Sequence, residues 1–325
     1  MTTAPFLHGI DVLVRDHADW LRGRRVGLIA HPASVGASGQ ASAQLVQSVP
    51  EAELTCLFGP EHGYTGAAGA GDAVADAAHP GLDLPVFSLY GAARKPTPEM
   101  LSRVDTIVFD LQDLGVRCYT YISTLRLVLE ACAEHGKTLV VADRPSPLAR
   151  VVDGPMLDPR FESFVGCIPA PVVCGLTPGE TAGWLRSALG FDADVRVARM
   201  QGYGRETIRP ADWPAWVPPS PAIPTWESGQ CFPVTVALEA LPALDHGRGT
   251  DAPFQRVGAP WLDANAVVRA LDSAALPGVR HKREDYTAAR GAYAGSRVQG
   301  LRIRVVNPSA LLPVLTGVVI IRAVQ

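Results

Sequence analysis

The chain has 325 residues, of which 47% are hydrophobic and 19% charged, enough apolar material for one large domain or two ordinary ones. A formal net charge of -3 and the absence of any run of Lys and Arg argue against a nucleic-acid partner. The sequence has no secretory signal at its start and no apolar run long enough to span a bilayer. It therefore predicts a cytoplasmic protein without a membrane partner.

The first half of the chain alternates short β-rich apolar runs with helical patterns, which is typical of a parallel sheet covered by helices. Apolar residues at helical spacing predict a crossover helix over 121–135. The Thr177-Pro178-Gly179-Glu180 stretch predicts a helix through Leu189, because it supplies an N-cap, a proline at the first helical position and a capping-box glutamate. The strands predicted for this doubly wound sheet are 25–30, 53–58, 85–89, 106–111 and 138–142.

The second half of the chain is less regular. The segment 210–224 is crowded with proline and tryptophan, so we expect an irregular crossing there and place the domain junction near it. Beyond it, the pattern predicts a helix at 264–273 and strands at 298–306 and 317–321. These elements indicate a second, smaller α/β or α+β unit.

Polar residues follow the successive predicted strands at the point where each strand ends. In an open parallel sheet, ligands gather at the carboxyl ends of the strands, because loops converge there and helix N-termini offer donors. No G-x-G-x-x-G motif follows the first strand, so no dinucleotide cofactor is predicted. We expect the functional site at this edge, built from His31, Ser34, Glu61, His62, Tyr90, Asp110, Gln112, Asp113, Asp143 and Arg144.

Glu61 is the first candidate for a catalytic acid/base. Gly59, Pro60 and Gly63 would hold its carboxyl group in a rigid turn, and the apolar residues before the turn would make its surroundings less polar. The alternative is an ordinary solvated turn glutamate. His62 could donate to a substrate oxygen, or it could satisfy a backbone carbonyl.

Asp110 and Asp113 follow a buried strand. Either could be the second carboxylate that glycoside hydrolysis usually needs, or an anchor for sugar hydroxyl groups. Capping of the next helix is the alternative, and it is stronger for Asp113. Other polar residues leave a similar choice open between a ligand contact and a structural one, namely Asp143, Arg144, Arg117, Tyr90, Tyr119 and Arg248.

With these residues in this order, the chain resembles the NamZ-type exo-β-N-acetylmuramidases, a family also called YbbC-like and formerly a domain of unknown function. The resemblance extends from Gly9 to about Asp263. Its specific blocks are Gly59-Pro60-Glu61-His62-Gly63, Ser88-Leu89-Tyr90-Gly91, Phe109-Asp110-Leu111-Gln112-Asp113-Leu114-Gly115-Val116-Arg117, Tyr119-Thr120-Tyr121-Ile122, Asp143-Arg144-Pro145, Ser163-Phe164-Val165-Gly166, Pro218-Pro219-Ser220-Pro221 and Gly247-Arg248-Gly249-Thr250.

The resemblance implies a Rossmann-like catalytic domain, 1–205, and a smaller auxiliary domain, 206–325, that is shortened at its C-terminus relative to the family pattern. It implies hydrolysis without an organic cofactor, on muropeptides or MurNAc-GlcNAc, in cell-wall turnover and recycling. The glutamate of the Gly-Pro-Glu-His-Gly motif maps to Glu61. An arginine such as Arg144 or Arg117 would suit the lactyl carboxylate of muramic acid.

Several departures from the family pattern bear on activity. The polar stretch that precedes the Gly-Arg-Gly-Thr block is replaced here by the largely apolar 239–246. Cys174 and Ala222 stand where the family has His and Asn. An enzyme with Glu61 as acid and Asp110 as second carboxylate is the leading hypothesis.

Two other functions stay open from the sequence. One is a non-catalytic muropeptide or amino-sugar binding protein that kept the pocket. The other is a metal-dependent hydrolase using His31, His62, Asp110 and Asp143, although none of these forms a helix-spaced ligand pair and no metal is predicted. A homo-oligomer is also left open.

Overall fold

The structure is a computed structural model that describes residues 5–206, 209–210 and 213–325. The chain divides into two compact units. Unit 1 is built from the described parts of 1–149, 159–168 and 176–221, and unit 2 from 150–158, 169–175 and 222–325. The last change between the units, at 221/222, falls within the segment 210–224, and the domain boundary at 205/206 stays a prediction. The two short segments that belong to unit 2 had no sequence signal.

Unit 1 is organised around a seven-stranded sheet with the order β3-β4-β2-β1-β5-β6-β7. All neighbours are parallel except β3 and β4, which pair antiparallel at one edge. The strand order reverses between β1 and β5, as it does in a Rossmann-like doubly wound sheet. The strands are β1 Arg25–Ile29, β2 Glu53–Gly59, β3 Ala77–His79, β4 Leu84–Ser88, β5 Thr106–Phe109, β6 Thr138–Ala142 and β7 Val195–Ala198.

The helices of unit 1 begin and end where the local sequence favours it. Helix α4 ends at Gly136, which adopts the left-handed conformation that favours glycine. Helix α5 begins after Thr177, whose hydroxyl accepts the Glu180 amide while the Glu180 carboxylate accepts the Thr177 amide. The helices are α1 Gly9–Asp16, α2 Ser42–Gln47, α3 Pro98–Ser102, α4 Thr120–His135 and α5 Pro178–Ala188.

The centre of the sheet is fully buried and forms a rigid base for the loops that follow it. Strand β5 is buried along its whole length, and β1 and β6 are buried beyond their first residue. Each buried Leu, Ile or Val in these strands contributes about 1.5–3 kcal/mol relative to an exposed position. The predicted strands and the two predicted helices of unit 1 are confirmed, each close to its predicted bounds.

Unit 2 contains a small antiparallel sheet in which β11 pairs with β8, β9 and β10. The predicted helix at 264–273 and strand at 298–306 are confirmed. None of the described helices is long and apolar enough to cross a membrane. The elements are helix α6 Trp226–Thr235, β8 Arg256–Ala259, helix α7 Ala264–Ala274, β9 Val279–Arg283, β10 Tyr286–Thr287, β11 Arg297–Val305 and helix α8 Pro313–Val324.

The predicted strand at 317–321 is wrong, because this apolar run lies inside helix α8. Pro313 occupies the first turn of the helix, where it loses no hydrogen bond. Gly317 lies against α6, and a Cβ atom at this position would come 2.4 Å from the Val234 carbonyl oxygen. A short apolar run in a buried helix and one in a buried strand cannot be told apart by periodicity.

Candidate functional site

The carboxyl ends of the parallel strands in unit 1 carry the polar residues that the sequence singled out. The strand order reverses between β1 and β5, and open α/β sheets bind their ligands at the carboxyl ends of the strands next to such a reversal. The side chains here differ sharply in what they contact. Some are oriented around Glu61, and others are buried in structural pairs.

Glu61 lies in a sharp turn directly after β2. His62 and Gly63 both adopt left-handed backbone conformations, with φ of 70° and 75°. This conformation is uncommon for a histidine, and such departures concentrate at functional sites. The turn also depends on Gly59, where a Cβ atom would come 2.5 Å from the backbone nitrogen of Tyr64. The sequence therefore presents Glu61 on a backbone that few residues could form.

Both oxygens of the half-buried Glu61 carboxyl group accept hydrogen bonds from the protein. The Thr120 hydroxyl, at the start of α4, donates to Oε2 at 2.6 Å, and the Gly71 amide donates to Oε1 at 2.8 Å. Tyr90 lies near the same carboxyl group, since burial and then the Glu61 charge raise the pKa of Tyr90. Hydrogen bonds from two separate segments thus fix the orientation of the carboxyl group.

We expect Gly59→Ala to lower kcat for sugar hydrolysis by about 100-fold, because the added methyl group would displace the turn that positions Glu61. Steady-state kinetics of the purified variant would show this. Gly39→Ala is the matched control, since Gly39 also has a positive φ but a Cβ atom there meets nothing within 4 Å. Equal kcat values for the two variants would contradict the expectation.

His62 is buried beside Glu61, and its Nδ1 lies 2.9 Å from the carbonyl oxygen of Ala68. A carbonyl oxygen only accepts, so Nδ1 carries a proton, and in the neutral ring Nε2 is an acceptor. The backbone-satisfying role that the sequence left open for His62 is therefore present. A substrate hydroxyl group could donate to the remaining nitrogen.

Asp110 and Arg144 form a buried ion pair. The Arg144 guanidinium donates through Nε to Oδ1 at 2.5 Å and through Nη2 to Oδ2 at 2.8 Å, and the Ser42 hydroxyl donates to the same carboxylate. The two side chains are 0% and 2% exposed, respectively. This geometry argues against Asp110 as the second catalytic carboxylate and against Arg144 as a substrate ligand.

His31 and Gln112 connect the ends of β1 and β5. The Ala33 amide lies 2.9 Å from His31 Nδ1, and the Gln112 amide lies 3.0 Å from Nε2. Burial, and then the charge of Arg144, lowers the pKa of His31 well below its ordinary value. A neutral ring accepts at one nitrogen only, so one of the two amides is satisfied at a time. The Gln112 side chain donates to the Pro145 carbonyl, so both predicted ligands have structural partners.

Tyr119 and Tyr121 pack at the start of α4. The Tyr119 and Tyr121 rings pack edge to face with their centres 4.9 Å apart, and burial raises the pKa of Tyr119. The Tyr121 hydroxyl donates to the carbonyl of Pro219 at 2.6 Å. The Pro218-Pro219-Ser220-Pro221 block thus anchors this end of the helix. Tyr119 is predicted as a substrate ligand, but here it packs against protein.

Asp113 is buried in the loop before α4, where its Oδ1 accepts the Gly115 amide at 2.6 Å. Burial raises the pKa of Asp113 from 3.8 to about 7. At a pH between these two pKa values, Asp113 is ionised in the unfolded chain and protonated in the folded chain. Stability therefore falls as pH rises across this window, by about 1.4 kcal/mol per unit of pKa difference.

Asp113→Asn should remove this pH dependence, because the amide cannot ionise and its oxygen can still accept the Gly115 amide. Urea denaturation of wild type and variant at about pH 5 and about pH 8 tests this. The variant should gain stability relative to wild type as the pH rises. Parallel pH profiles for the two proteins would show that Asp113 does not titrate in this range.

Asp143 contacts the start of helix α5. Its carboxylate accepts the Thr177 hydroxyl at 3.0 Å and the Gly179 amide at 2.8 Å. Burial raises the pKa of Asp143 to about 6.

Arg117 is half-buried in the loop before α4 and stays a predicted substrate contact. Among the described residues, no three His, Cys, Asp or Glu side chains are arranged to hold a metal ion.

Within unit 2, the stretch that departs from the family pattern has its own partners. Glu239 pairs with Arg248 at 2.7 Å, and His246 Nε2 lies 3.6 Å from the same Glu239 oxygen. The buried Asp245 accepts the Tyr286 hydroxyl at 2.6 Å. Arg248, a predicted substrate contact, is therefore engaged in an ion pair inside unit 2.

Comparison with known proteins identifies the family. The N-terminal and C-terminal family models described as exo-beta-N-acetylmuramidase NamZ match residues 26–227 and 230–325. The peptidoglycan beta-N-acetylmuramidase NamZ of Bacillus subtilis is 38% identical over 318 residues, which span 98% of this chain and 77% of that protein.

Two solved DUF1343 family proteins of Bacteroides fragilis share the fold. One has a TM-score of 0.91 and 32% identity over 98% of this chain and 82% of its own. The other has a TM-score of 0.74 and 24% identity, and covers 92% and 76% of the two chains. The α/β fold and the family resemblance predicted from the sequence are both confirmed, and the chain belongs to the NamZ exo-β-N-acetylmuramidase family.

Proposed function

We propose that this protein is a glycosidase that releases N-acetylmuramic acid from the non-reducing end of peptidoglycan fragments. Family membership supports this class of reaction, and the Bacillus subtilis relative is named for the same activity. The observation that carries the proposal is the Glu61 carboxyl group, held by Thr120 and Gly71 at the carboxyl ends of the parallel strands.

Glu61 serves in this proposal as the catalytic acid/base. It protonates the glycosidic oxygen as the bond to the anomeric carbon breaks, and water adds to that carbon and releases a proton. The resulting Glu61 carboxylate is held in place by the Thr120 and Gly71 donors. Its fixed orientation matters, because proton transfer requires the donor within hydrogen-bond reach of the leaving oxygen. Asp110 takes no part in this step, since its carboxylate is buried against Arg144.

Purified protein should release 4-nitrophenol from 4-nitrophenyl β-N-acetylmuraminide and not from 4-nitrophenyl β-N-acetylglucosaminide. Folding of the sample is checked by circular dichroism. Absence of turnover of both substrates by folded protein would overturn the proposal. Muropeptide binding in calorimetry without turnover would then favour the non-catalytic binding protein. The cytoplasmic location and the role in cell-wall recycling stay predictions.

A further inference from the structure

Arg94 lies in the loop after β4, and two aromatic rings hold its guanidinium group. The guanidinium carbon is 4.9 Å from the centre of the Tyr90 ring and 4.3 Å from the centre of the Phe164 ring. The two rings lie 5.5 Å apart with an interplanar angle of 62°. Both separations are within the cation–π limit of about 6 Å, so Arg94 is oriented although it is exposed.

The Phe164 ring belongs to a tight turn fixed to the same helix that holds Glu61. Ser163 and Gly166 close this turn by exchanging backbone hydrogen bonds of 3.0 and 3.1 Å. The Ser123 hydroxyl of α4 donates to the Phe164 carbonyl. Because Thr120 at the start of α4 binds Glu61, the aromatic support of Arg94 and the orientation of Glu61 share one framework.

The charge of Arg94 is not neutralised by an acidic side chain among the described residues. Its neighbour Lys95 differs, since it pairs with Glu130 at 3.0 Å and with Glu134 at 2.6 Å. Aromatic rings hold the guanidinium by its face and leave its N–H edge free to donate. Arg94 thus presents a donor edge supported by two rings, and no carboxylate in the described part of the chain forms an ion pair with it.

Tyr90 connects this cation to the proposed catalytic group. The Glu61 charge contributes to the raised pKa of Tyr90, and the guanidinium carbon of Arg94 lies 4.9 Å from the centre of the Tyr90 ring. One side chain therefore separates the cation from the carboxyl group that acts on the glycosidic bond. N-acetylmuramic acid differs from N-acetylglucosamine by a lactyl ether that ends in a carboxylate. An arginine edge matches a carboxylate with two parallel hydrogen bonds.

We infer that Arg94 binds the lactyl carboxylate of the terminal N-acetylmuramic acid and thereby selects muraminides over glucosaminides. This inference rests on the proposed function and names the specificity determinant of the same site. It assigns to Arg94 the role that the sequence suggested for Arg144, whose guanidinium is buried against Asp110.

The test compares Arg94→Ala with wild type on the 4-nitrophenyl β-N-acetylmuraminide and on its lactyl amide, which lacks the negative charge. Wild type should have a higher kcat/KM for the muraminide with the free lactyl carboxylate (the acid) than for the amide. Arg94→Ala should lower kcat/KM for the acid by about 10- to 100-fold, mainly through KM, and leave kcat/KM for the amide nearly unchanged. Arg94→Lys keeps the charge without the paired donors and should restore part of the preference.

Arg103→Ala is the matched control. Arg103 is also an exposed arginine over an aromatic ring, 5.7 Å from the centre of Phe87, but it precedes β5 at the opposite edge of the sheet. Its kinetics should equal those of wild type. Thermal unfolding verifies each variant, and Arg94→Lys carries the test if Arg94→Ala does not fold.

Two failures can be told apart. If wild type hydrolyses the muraminide and the Arg94 variants keep the full preference for acid over amide, the role of Arg94 is overturned while the proposed function stands. Equal losses on acid and amide would overturn it in the same way. If wild type hydrolyses neither substrate, the proposed function itself fails.

Discussion

Glu61→Gln should lower kcat/KM for MurNAc-GlcNAc by about 10²- to 10⁴-fold, the range that general acid–base catalysis contributes, because the sugar leaving group departs only with a proton. Glutamine has nearly the same shape, and its oxygen can still accept a hydrogen bond from Thr120 or Gly71. It cannot deliver a proton to the glycosidic oxygen. Steady-state release of N-acetylglucosamine, measured on protein with an unchanged circular dichroism spectrum, gives the comparison.

Glu53→Gln is the control for this substitution. Glu53 begins the same strand, β2, at the edge away from the site, and its side chain is exposed. Its activity should match that of wild type. Retention of wild-type kcat/KM by Glu61→Gln would remove Glu61 from the mechanism.

Arg144→Met should lower the stability of the protein by about 3–5 kcal/mol, because it leaves the Asp110 carboxylate buried without its partner. Urea denaturation followed by far-UV circular dichroism measures the loss. The double variant Asp110→Asn, Arg144→Met removes both charges and should recover much of it.

A control variant and an activity measurement check the result expected for Arg144→Met. Arg196→Met removes an arginine from the exposed pair with Asp194 and should cost far less. The folded double variant should also retain turnover of the muraminide, because the ion pair is structural. Complete loss of turnover in a folded double variant would return Asp110 to the catalytic role that its position after β5 suggests.

Much of unit 1 could be predicted from sequence, because its parallel strands are continuous apolar runs and its helices carry capping signals. The Thr177-Pro178-Gly179-Glu180 stretch folds as its residue types require. Strand β3 and helix α8 could not be predicted in the same way. β3 is short and lies at the lateral edge of the sheet. Helix α8 carries exposed apolar residues, such as Leu315 and Val318, as well as the face that packs against α6 and α7, so its apolar run has no clear helical period.

The candidate site was only partly accessible to sequence reasoning. The Gly-rich turn pointed to Glu61, since the spacing of glycines restricts the backbone around it. Thr120, Gly71 and Arg94 carried no local signal, because they meet Glu61 and Tyr90 only through the fold. The sequence pattern of a carboxylate after a buried strand is the same whether the side chain faces a substrate or an arginine. The role of Asp110 therefore could not be assigned from its position.

The hydrogen bond between Thr120 and Glu61 joins residues 59 positions apart in the chain. Contacts of this separation form late in folding, because the loop between them must close before they gain any energy. Strand β5 and the start of α4 both have to dock before the Glu61 carboxyl group is oriented. We therefore expect turnover during refolding to recover only after β5 and the start of α4 have docked, and later than the recovery of helix content.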